Sequence, residues 1–347
     1  QSVYVDKSLL IKDIIENENH IFISAPQRWG KSLNLSMLKA FFQPDGGEPA
    51  RYTGGAIASG KYDFDGVNKN LKYFKKRHIY FENTEIFETY EDGEQGKKQV
   101  NIVEHFQGKR PVIYLNFKGI TKPTKSTEQK KPEKAEEDNN WLETGLRMAV
   151  KDAYREHSYL YYSKLFREYA SNPGTKTENL ERLNMLLNQS NDLGEKIGIL
   201  ENWLPDQKRS EDLKRLGAYY NGKTNAEAGL SDSIKFLAEL LHQHYGRKIM
   251  VLVDEFDKPV ISIIPDTIEK LSNLETAKHA REVFIAVAQT TTNIISPLVK
   301  GINVFQCQVI LTGIFNTLNK EISSGANPIH EIAITQGDDK ITGHFGF

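Results

Sequence analysis

The chain has 347 residues, which is enough for one large α/β domain or for two domains of ordinary size. Its 45 Lys and Arg residues nearly balance its 46 Asp and Glu residues, so the net charge of −1 gives no overall attraction to nucleic acid or anionic membranes. The single cysteine, Cys307, excludes an intrachain disulfide and a thiolate metal cluster, and we expect it to be a small core residue.

Hydrophobic patterning predicts strands that alternate with helices along the chain. Short apolar runs of strand length lie at 20–25, 111–117, 249–253 and 304–311. Apolar residues recur at helical spacing in 5–16, 33–41, 231–245 and 275–300. This alternation indicates an α/β fold with a mainly parallel sheet that helices cover on both faces.

The segment between the second and third predicted strands differs from the rest. Residues 121–140 contain five lysines, five acids and almost nothing apolar, which predicts a surface insertion that cannot bury itself. The sequence from 141 to 222 is helical in pattern, and we expect the aromatic residues of 153–169 to pack between helices. We therefore divide the chain into one half of the α/β core at 1–120, a polar and helical insertion at 121–245, and a second core half at 246–347.

One segment departs from the phosphate-loop (Walker A) pattern G-x-x-x-x-G-K-[ST] only at its first glycine. It consists of Ala25, Pro26, Gln27, Arg28, Trp29, Gly30, Lys31 and Ser32. Gly30 lets the backbone approach phosphates, Lys31 supplies charge to the β and γ oxygens, and the Ser32 hydroxyl reaches a bound Mg²⁺. Arg28 lies within this loop, and we expect it to contact phosphate or a neighbouring acid. A buried strand before the loop and an amphipathic helix after it are the context that the motif requires.

Two adjacent acids follow the third predicted strand in a Walker B arrangement, Asp254 and Glu255. In a phosphate-loop fold we expect Asp254 to hold Mg²⁺ and Glu255 to polarise the attacking water. Neighbouring strand residues point to opposite sides, which suggests this division of labour. We expect Thr312 to sense the γ-phosphate, with Asn316 as the reserve choice. A strand-end threonine that only satisfies backbone groups remains an open alternative.

Three further features of the sequence bear on the choice of nucleotide, on nucleic-acid binding and on metal binding. No N-K-x-D motif for guanine is present, which favours ATP over GTP. The basic cluster at 72–77 is more typical of a solvated helix face than of a nucleic-acid contact. His242 and His244 are two residues apart on a predicted helix and point to different faces, so we expect no metal site there.

Taken together, these motifs resemble those of the AAA-ATPase-like family of P-loop proteins, whose members are often found beside a PD-(D/E)xK nuclease-like domain. The segments that carry the resemblance are 5–11, 25–38, 111–117, 251–260, 311–314 and 324–327. Ala25 and Gln27 stand where the family usually has arginine, and Glu331 stands where it often has Asp.

The resemblance implies a P-loop NTPase of the additional-strand, catalytic-glutamate class, with strand order 5-1-4-3-2 and a helical insertion at about 121–245. It leaves open whether the last strand lies within this chain, which ends in a pattern that we expect to continue beyond Phe347. Any nuclease-like domain would lie outside these residues.

The implied function is ATP binding and Mg²⁺-dependent hydrolysis that regulates or remodels an attached domain or a protein partner. Two alternatives stay open. One is a nucleotide-dependent protein-interaction module without hydrolysis, and the other is the ATPase part of a nuclease-linked toxin or effector. No membrane-length apolar run and no signal-peptide pattern occur, so we expect a soluble, intracellular protein that is cytoplasmic by default, with delivery as an effector left open.

Overall fold

The computed structural model describes residues 6–17, 20–44, 89–92, 98–123, 141–223, 229–271, 274–300, 305–314 and 329–333. The strands are β1 (His20–Ser24), β2 (Thr89–Asp92), β3 (Lys98–Asn101), β4 (Val112–Asn116), β5 (Ile249–Asp254), β6 (Gln306–Gly313) and β7 (Ile329–Ala333).

The helices among these residues number eleven in our labelling, and a single 3₁₀ turn, Asp206–Lys208, lies between two of them. They are α1 (Leu9–Glu16), α2 (Lys31–Phe42), α3 (Ile102–Phe106), α4 (Trp141–Glu156), α5 (Ser158–Ala170), α6 (Thr177–Gln189), α7 (Leu193–Trp203), α8 (Glu211–Tyr220), α9 (Leu230–Tyr245), α10 (Lys258–Lys270) and α11 (Leu274–Lys300). None of the described helices combines the length and the apolar character needed to cross a membrane.

Five strands form one sheet in the order β4-β5-β6-β1-β7, and every neighbouring pair in it is parallel. Numbered in chain order within this sheet alone, the strands from β7 to β4 read 5-1-4-3-2. The remaining two strands, β2 and β3, form an antiparallel pair. The mixed α/β architecture with a parallel sheet that the sequence predicts is therefore confirmed. Because all five strands run the same way, their carboxyl ends share one edge.

Strand alternation explains how both faces of the sheet become covered. In β5, Val251 and Val253 point into an apolar cluster formed with α4 to α11, whereas Met250 and Leu252 point into a second cluster formed with α1, α2 and α3. All four side chains are fully buried. A strand that buries both faces needs apolar residues at every position, which is why this segment reads as a continuous hydrophobic run.

The boundaries of β6 differ from those predicted. The strand is Gln306–Gly313 where the sequence favours 304–311, so that Thr312 lies inside it. Gln308 interrupts the apolar pattern of this strand although its side chain is buried. Its amide nitrogen donates to the carbonyl oxygens of Ile14 and Asn17 at 3.4 and 2.6 Å. A hydrogen-bonded amide is tolerated in a core where an unpaired one is not.

Other differences lie around the sheet. β7 supplies a fifth strand that the sequence left open, and the β2–β3 pair was not predicted. The helical pattern of 141–222 is broken into α4 to α8. The basic cluster at 72–77, Asn316, the 324–327 element and the polar residues 124–140 lie outside the described residues.

The predicted insertion shares its core with the sheet. Tyr154, Tyr161 and Phe166 are buried in the same apolar cluster as Val251, as the aromatic pattern predicts. At the start of the polar segment, Lys122 donates its backbone N–H to the Ser262 hydroxyl at 3.1 Å, and its ammonium pairs with Asp266 on α10 at 2.6 Å. The division of the chain at residues 120 and 245 stays a prediction.

His157 lies buried between α4 and α5 and links them to the sheet. Its Nε2 lies 2.9 Å from the carbonyl oxygen of Val112, which can only accept, so Nε2 carries the proton. Its Nδ1 therefore accepts from the Tyr159 hydroxyl at 2.9 Å, and that hydroxyl accepts from Tyr245 at 2.9 Å. Burial lowers the pKa of His157 from 6.5 to about 4. The ring is neutral in the folded protein at neutral pH.

We expect the free energy of unfolding to fall as the pH is lowered from 6.5 to about 4, because an unfolded histidine binds a proton there that folded His157 does not. Protonation of this histidine in the unfolded chain alone lowers the free energy of unfolding by about 3 kcal/mol across this window. Denaturant unfolding at both ends of the window should show a smaller pH dependence for His157→Gln, which keeps a donor for Val112 and cannot be protonated. His279→Gln, at an exposed position of α11, is the control. Equal pH dependence in His157→Gln and wild type would contradict this role.

Candidate functional site

The loop at 25–30 joins the end of β1 to the start of α2, at the carboxyl edge of the sheet. Two of its residues have positive φ, Arg28 at 67° and Gly30 at 80°. A Cβ at Gly30 would meet nothing within 4 Å, so it is the left-handed backbone and not space that requires glycine there. Arg28 accepts such a conformation at a cost of about 1–2 kcal/mol, and its side chain is exposed. Left-handed turns of this kind direct backbone N–H groups toward a common anion.

Lys31 begins α2 and is nearly buried, with 5% of its surface exposed. Its ammonium folds back over the loop and donates to the carbonyl oxygens of Ala25 at 2.6 Å and Pro26 at 2.8 Å. Pro26 through Trp29 are exposed around it, and Ser32 is half-buried in the first turn of the helix. The loop therefore surrounds the Lys31 ammonium and leaves residues 26–29 exposed to solvent.

The predicted acidic residues lie close enough to act on this cation. Burial lowers the pKa of Lys31, and the charges of Glu255, Asp257 and Asp254 oppose that effect. Two motifs that are far apart in the sequence thus meet at one edge of the sheet. They do so because β1 and β5 lie on either side of β6 and all three strands run parallel.

Asp254 closes β5 and is almost fully buried, with 1% of its surface exposed. Its Oδ1 accepts a hydrogen bond from the Thr312 hydroxyl at 2.8 Å, and its Oδ2 accepts one from the Tyr114 hydroxyl at 3.3 Å. Burial, followed by the charge of Asp254, raises the pKa of Tyr114 and keeps it a donor. The carboxylate is held by one residue from each neighbouring strand.

Glu255 follows the strand and does not belong to its pleat. Its φ is 50°, and its backbone N–H donates to the Thr312 hydroxyl oxygen at 3.3 Å. The expectation that Asp254 and Glu255 leave opposite sides of one strand therefore does not apply, since β5 ends at Asp254. A side chain at a left-handed position is unusual, and such positions cluster at functional sites.

Asp257 joins the end of β5 to the end of β6. It is buried, and its Oδ2 accepts the backbone N–H of Ile314 at 2.6 Å. A Cβ on Gly313 would lie 2.9–3.0 Å from the Asp257 carboxyl atoms, so only glycine fits beside them. The carbonyl oxygen of Gly313 accepts from Ala25 N–H at 3.0 Å, which continues the connection to the loop.

The structure brings together Lys31, Asp254, Glu255 and Thr312 and leaves Arg28 exposed beside them. Sequence reasoning missed Tyr114. The sequence offers only one indication of its role, a hydroxyl-bearing residue within an apolar strand, two residues before the end of β4. The contribution of Asp257 was also missed, although its segment carried the family resemblance.

The oxygen donors at this edge fit Mg²⁺ that arrives with phosphates. Ser32 and Asp254 supply a hydroxyl and a carboxylate, the ligand types that Mg²⁺ takes, and this ion commonly uses one or two carboxylates together with substrate phosphates and water. Within the described part of the chain, no group of three His, Cys, Asp or Glu residues is placed to hold a metal.

A family model described as a predicted AAA-ATPase matches residues 1–73 and 190–315, more than half of the chain. The matched segments include the loop at 25–30, both acids at the end of β5 and Thr312. No curated protein and no solved structure matches the chain.

We expect Gly313→Ala to lower the free energy of unfolding by about 1–3 kcal/mol, because its Cβ would overlap the Asp257 carboxylate. Urea unfolding followed by circular dichroism measures the change. Gly198→Ala in α7 is the matched control, since a Cβ there meets nothing within 4 Å and alanine should stabilise the helix by about 0.5–1 kcal/mol. If both substitutions shift stability in the same direction, the packing of Asp257 on Gly313 is not a constraint.

Proposed function

Since the chain belongs to the AAA-ATPase-like family, we propose that it binds ATP at the loop of residues 25–32 and hydrolyses it with Mg²⁺. The observation that carries this proposal is that the nearly buried Lys31 ammonium lies within electrostatic range of the carboxylates of Asp254 and Glu255. Cation and acids at one sheet edge are the groups that phosphoryl transfer from a nucleotide requires.

Lys31 and the start of α2 would hold the triphosphate. The ammonium already lies in the loop, on the carbonyl oxygens of Ala25 and Pro26, and phosphate oxygens can replace these neutral acceptors with charged ones. The first N–H groups of a helix have no partner within it, and the 12-residue helix α2 directs its positive end at the same place. Both effects favour an anion over any neutral ligand.

The two acids would divide the work. Asp254 and Ser32 would hold Mg²⁺, which when bound neutralises charge on the phosphate oxygens. Glu255 would orient a water and accept its proton while the water oxygen bonds to the γ-phosphorus and the bridging P–O bond breaks, giving ADP and phosphate. The half-buried position of Glu255 beside Lys31 supports this role.

We assign the chain to the additional-strand, catalytic-glutamate class, because β6 lies between the loop strand and the strand that Glu255 follows. Hydrolysis would regulate or remodel an attached domain or a protein partner. ATP is proposed over GTP because no guanine-reading motif occurs in the sequence. The alternative, a module that binds nucleotide without hydrolysis, is an outcome of the second experiment below.

We expect Lys31→Ala to weaken ATP binding roughly ten- to a hundredfold, since a charged hydrogen bond to phosphate contributes about 1.5–3 kcal/mol. Calorimetric titration with ATP and Mg²⁺ measures this. Lys235→Ala, at an exposed position of α9, removes the same charge outside the loop and should bind as wild type does. Equal affinity in Lys31→Ala and Lys235→Ala would remove the loop from the proposal.

We expect Glu255→Gln to slow phosphate release by roughly 10²–10⁴-fold under single-turnover conditions while ATP affinity stays near that of wild type. Glutamine keeps the size of the side chain but cannot take up the proton of the water. Glu239→Gln on α9 is the control and should leave turnover unchanged. A wild-type protein that binds ATP and releases no phosphate would favour the non-hydrolysing module.

A further inference from the structure

We propose that Thr312 is a positioning residue that holds Asp254 and Glu255 in place, and that it does not contact the γ-phosphate. This inference rests on the proposed ATPase function and replaces the sensing role that the sequence suggests for Thr312. It also goes beyond the alternative of a threonine that satisfies backbone groups alone, because its hydroxyl bonds to an acid side chain.

Thr312 bonds to three consecutive residues at the end of β5. Its hydroxyl donates to Asp254 Oδ1 at 2.8 Å and accepts from the Glu255 N–H at 3.3 Å. Its backbone carbonyl accepts from the Phe256 N–H at 3.1 Å. The side chain is fully buried in this arrangement. One residue on β6 therefore fixes the whole segment that carries both acids.

The proton count of the hydroxyl excludes a simultaneous bond to phosphate. A threonine hydroxyl has a single hydrogen to donate, and here Asp254 receives it. Phosphate oxygens at neutral pH chiefly accept, so a contact with the γ-phosphate would require that hydrogen. Asp254 would then lose the shorter of its two side-chain hydrogen bonds while remaining buried. Loss of a partner by a buried charge is strongly unfavourable.

The backbone of Glu255 gives an independent reason for the same role. A residue with a Cβ resists a φ of 50°, and such a conformation persists only when its surroundings hold it. Here the N–H of Glu255 is held by Thr312 Oγ1, and its carbonyl accepts from Lys258 N–H at 2.9 Å. The direction in which the Glu255 side chain leaves the backbone thus depends on the Thr312 hydroxyl.

Three variants separate positioning from sensing. Thr312→Val removes the hydroxyl at constant shape, Thr312→Ser keeps it, and Thr291→Val is the matched control. Thr291 is also fully buried, but its hydroxyl donates to Val287 within its own helix α11 at 2.8 Å. Single-turnover hydrolysis should slow roughly 10- to 100-fold in Thr312→Val and stay near wild type in the other two.

The ratio of ATP to ADP affinity without Mg²⁺ decides between the two roles. A positioning residue leaves this ratio unchanged in Thr312→Val, because no phosphate contact is lost. A ratio that falls about tenfold, the loss expected for one phosphate hydrogen bond, would identify a γ-phosphate sensor and overturn the proposal. Wild-type hydrolysis in Thr312→Val would overturn it as well.

Amide hydrogen exchange of the nucleotide-free protein tests the same contacts without any ATPase activity. The Glu255 amide should be protected in wild type and Thr291→Val and should exchange faster in Thr312→Val. If wild type fails to bind or hydrolyse ATP, the proposed function fails while this measurement still judges the role of Thr312. A Glu255 amide that exchanges freely in wild type would overturn the proposal, even if Thr312→Val does not fold.

Discussion

Asp254 is a carboxylate with almost no contact with solvent, and the arrangement of the central strands follows from its need for partners. A buried charge is stable only when hydrogen bonds replace the water that it has lost. Here the two oxygens are satisfied from either side, by Tyr114 on β4 and Thr312 on β6. Three adjacent strands are thereby held in one register at the edge where chemistry is proposed. An apolar residue at position 254 would leave both hydroxyls without this common acceptor.

The same constraint reaches the loop through β6. This strand lies between β1 and β5, and its end bonds to both sides: Gly313 accepts from Ala25, and Ile314, which follows the strand, donates to Asp257. Any shift of Asp254 would be transmitted to the loop through a short, buried and hydrogen-bonded path. The Lys31 ammonium donates to the carbonyl oxygens of that loop, and the charges of the acids act on it as well. The geometry of the site therefore depends on the ends of β1, β5 and β6 together and not on one sequence motif.

The sequence was sufficient for the elements with strong local patterns. The predicted strands at 20–25 and 249–253 and the predicted helix at 33–41 correspond to β1, β5 and α2, because burial imposes apolar patterns that can be read locally. Contacts between strands leave no such trace. The bond from Tyr114 to Asp254 depends on which strands become neighbours, and the left-handed Glu255 depends on hydrogen bonds from β6. Tertiary packing determines both, so no window of sequence could contain them.

The central claim is that this edge binds a triphosphate, and a crystal structure with a non-hydrolysable ATP analogue and Mg²⁺ tests it most directly. The account predicts phosphates over residues 30–32, with the Lys31 ammonium moved from the carbonyl oxygens of Ala25 and Pro26 to phosphate oxygens. It also predicts that the Thr312 hydroxyl stays on Asp254. At saturating analogue, a loop without nucleotide and a Lys31 ammonium still bonded to those two carbonyls would contradict it.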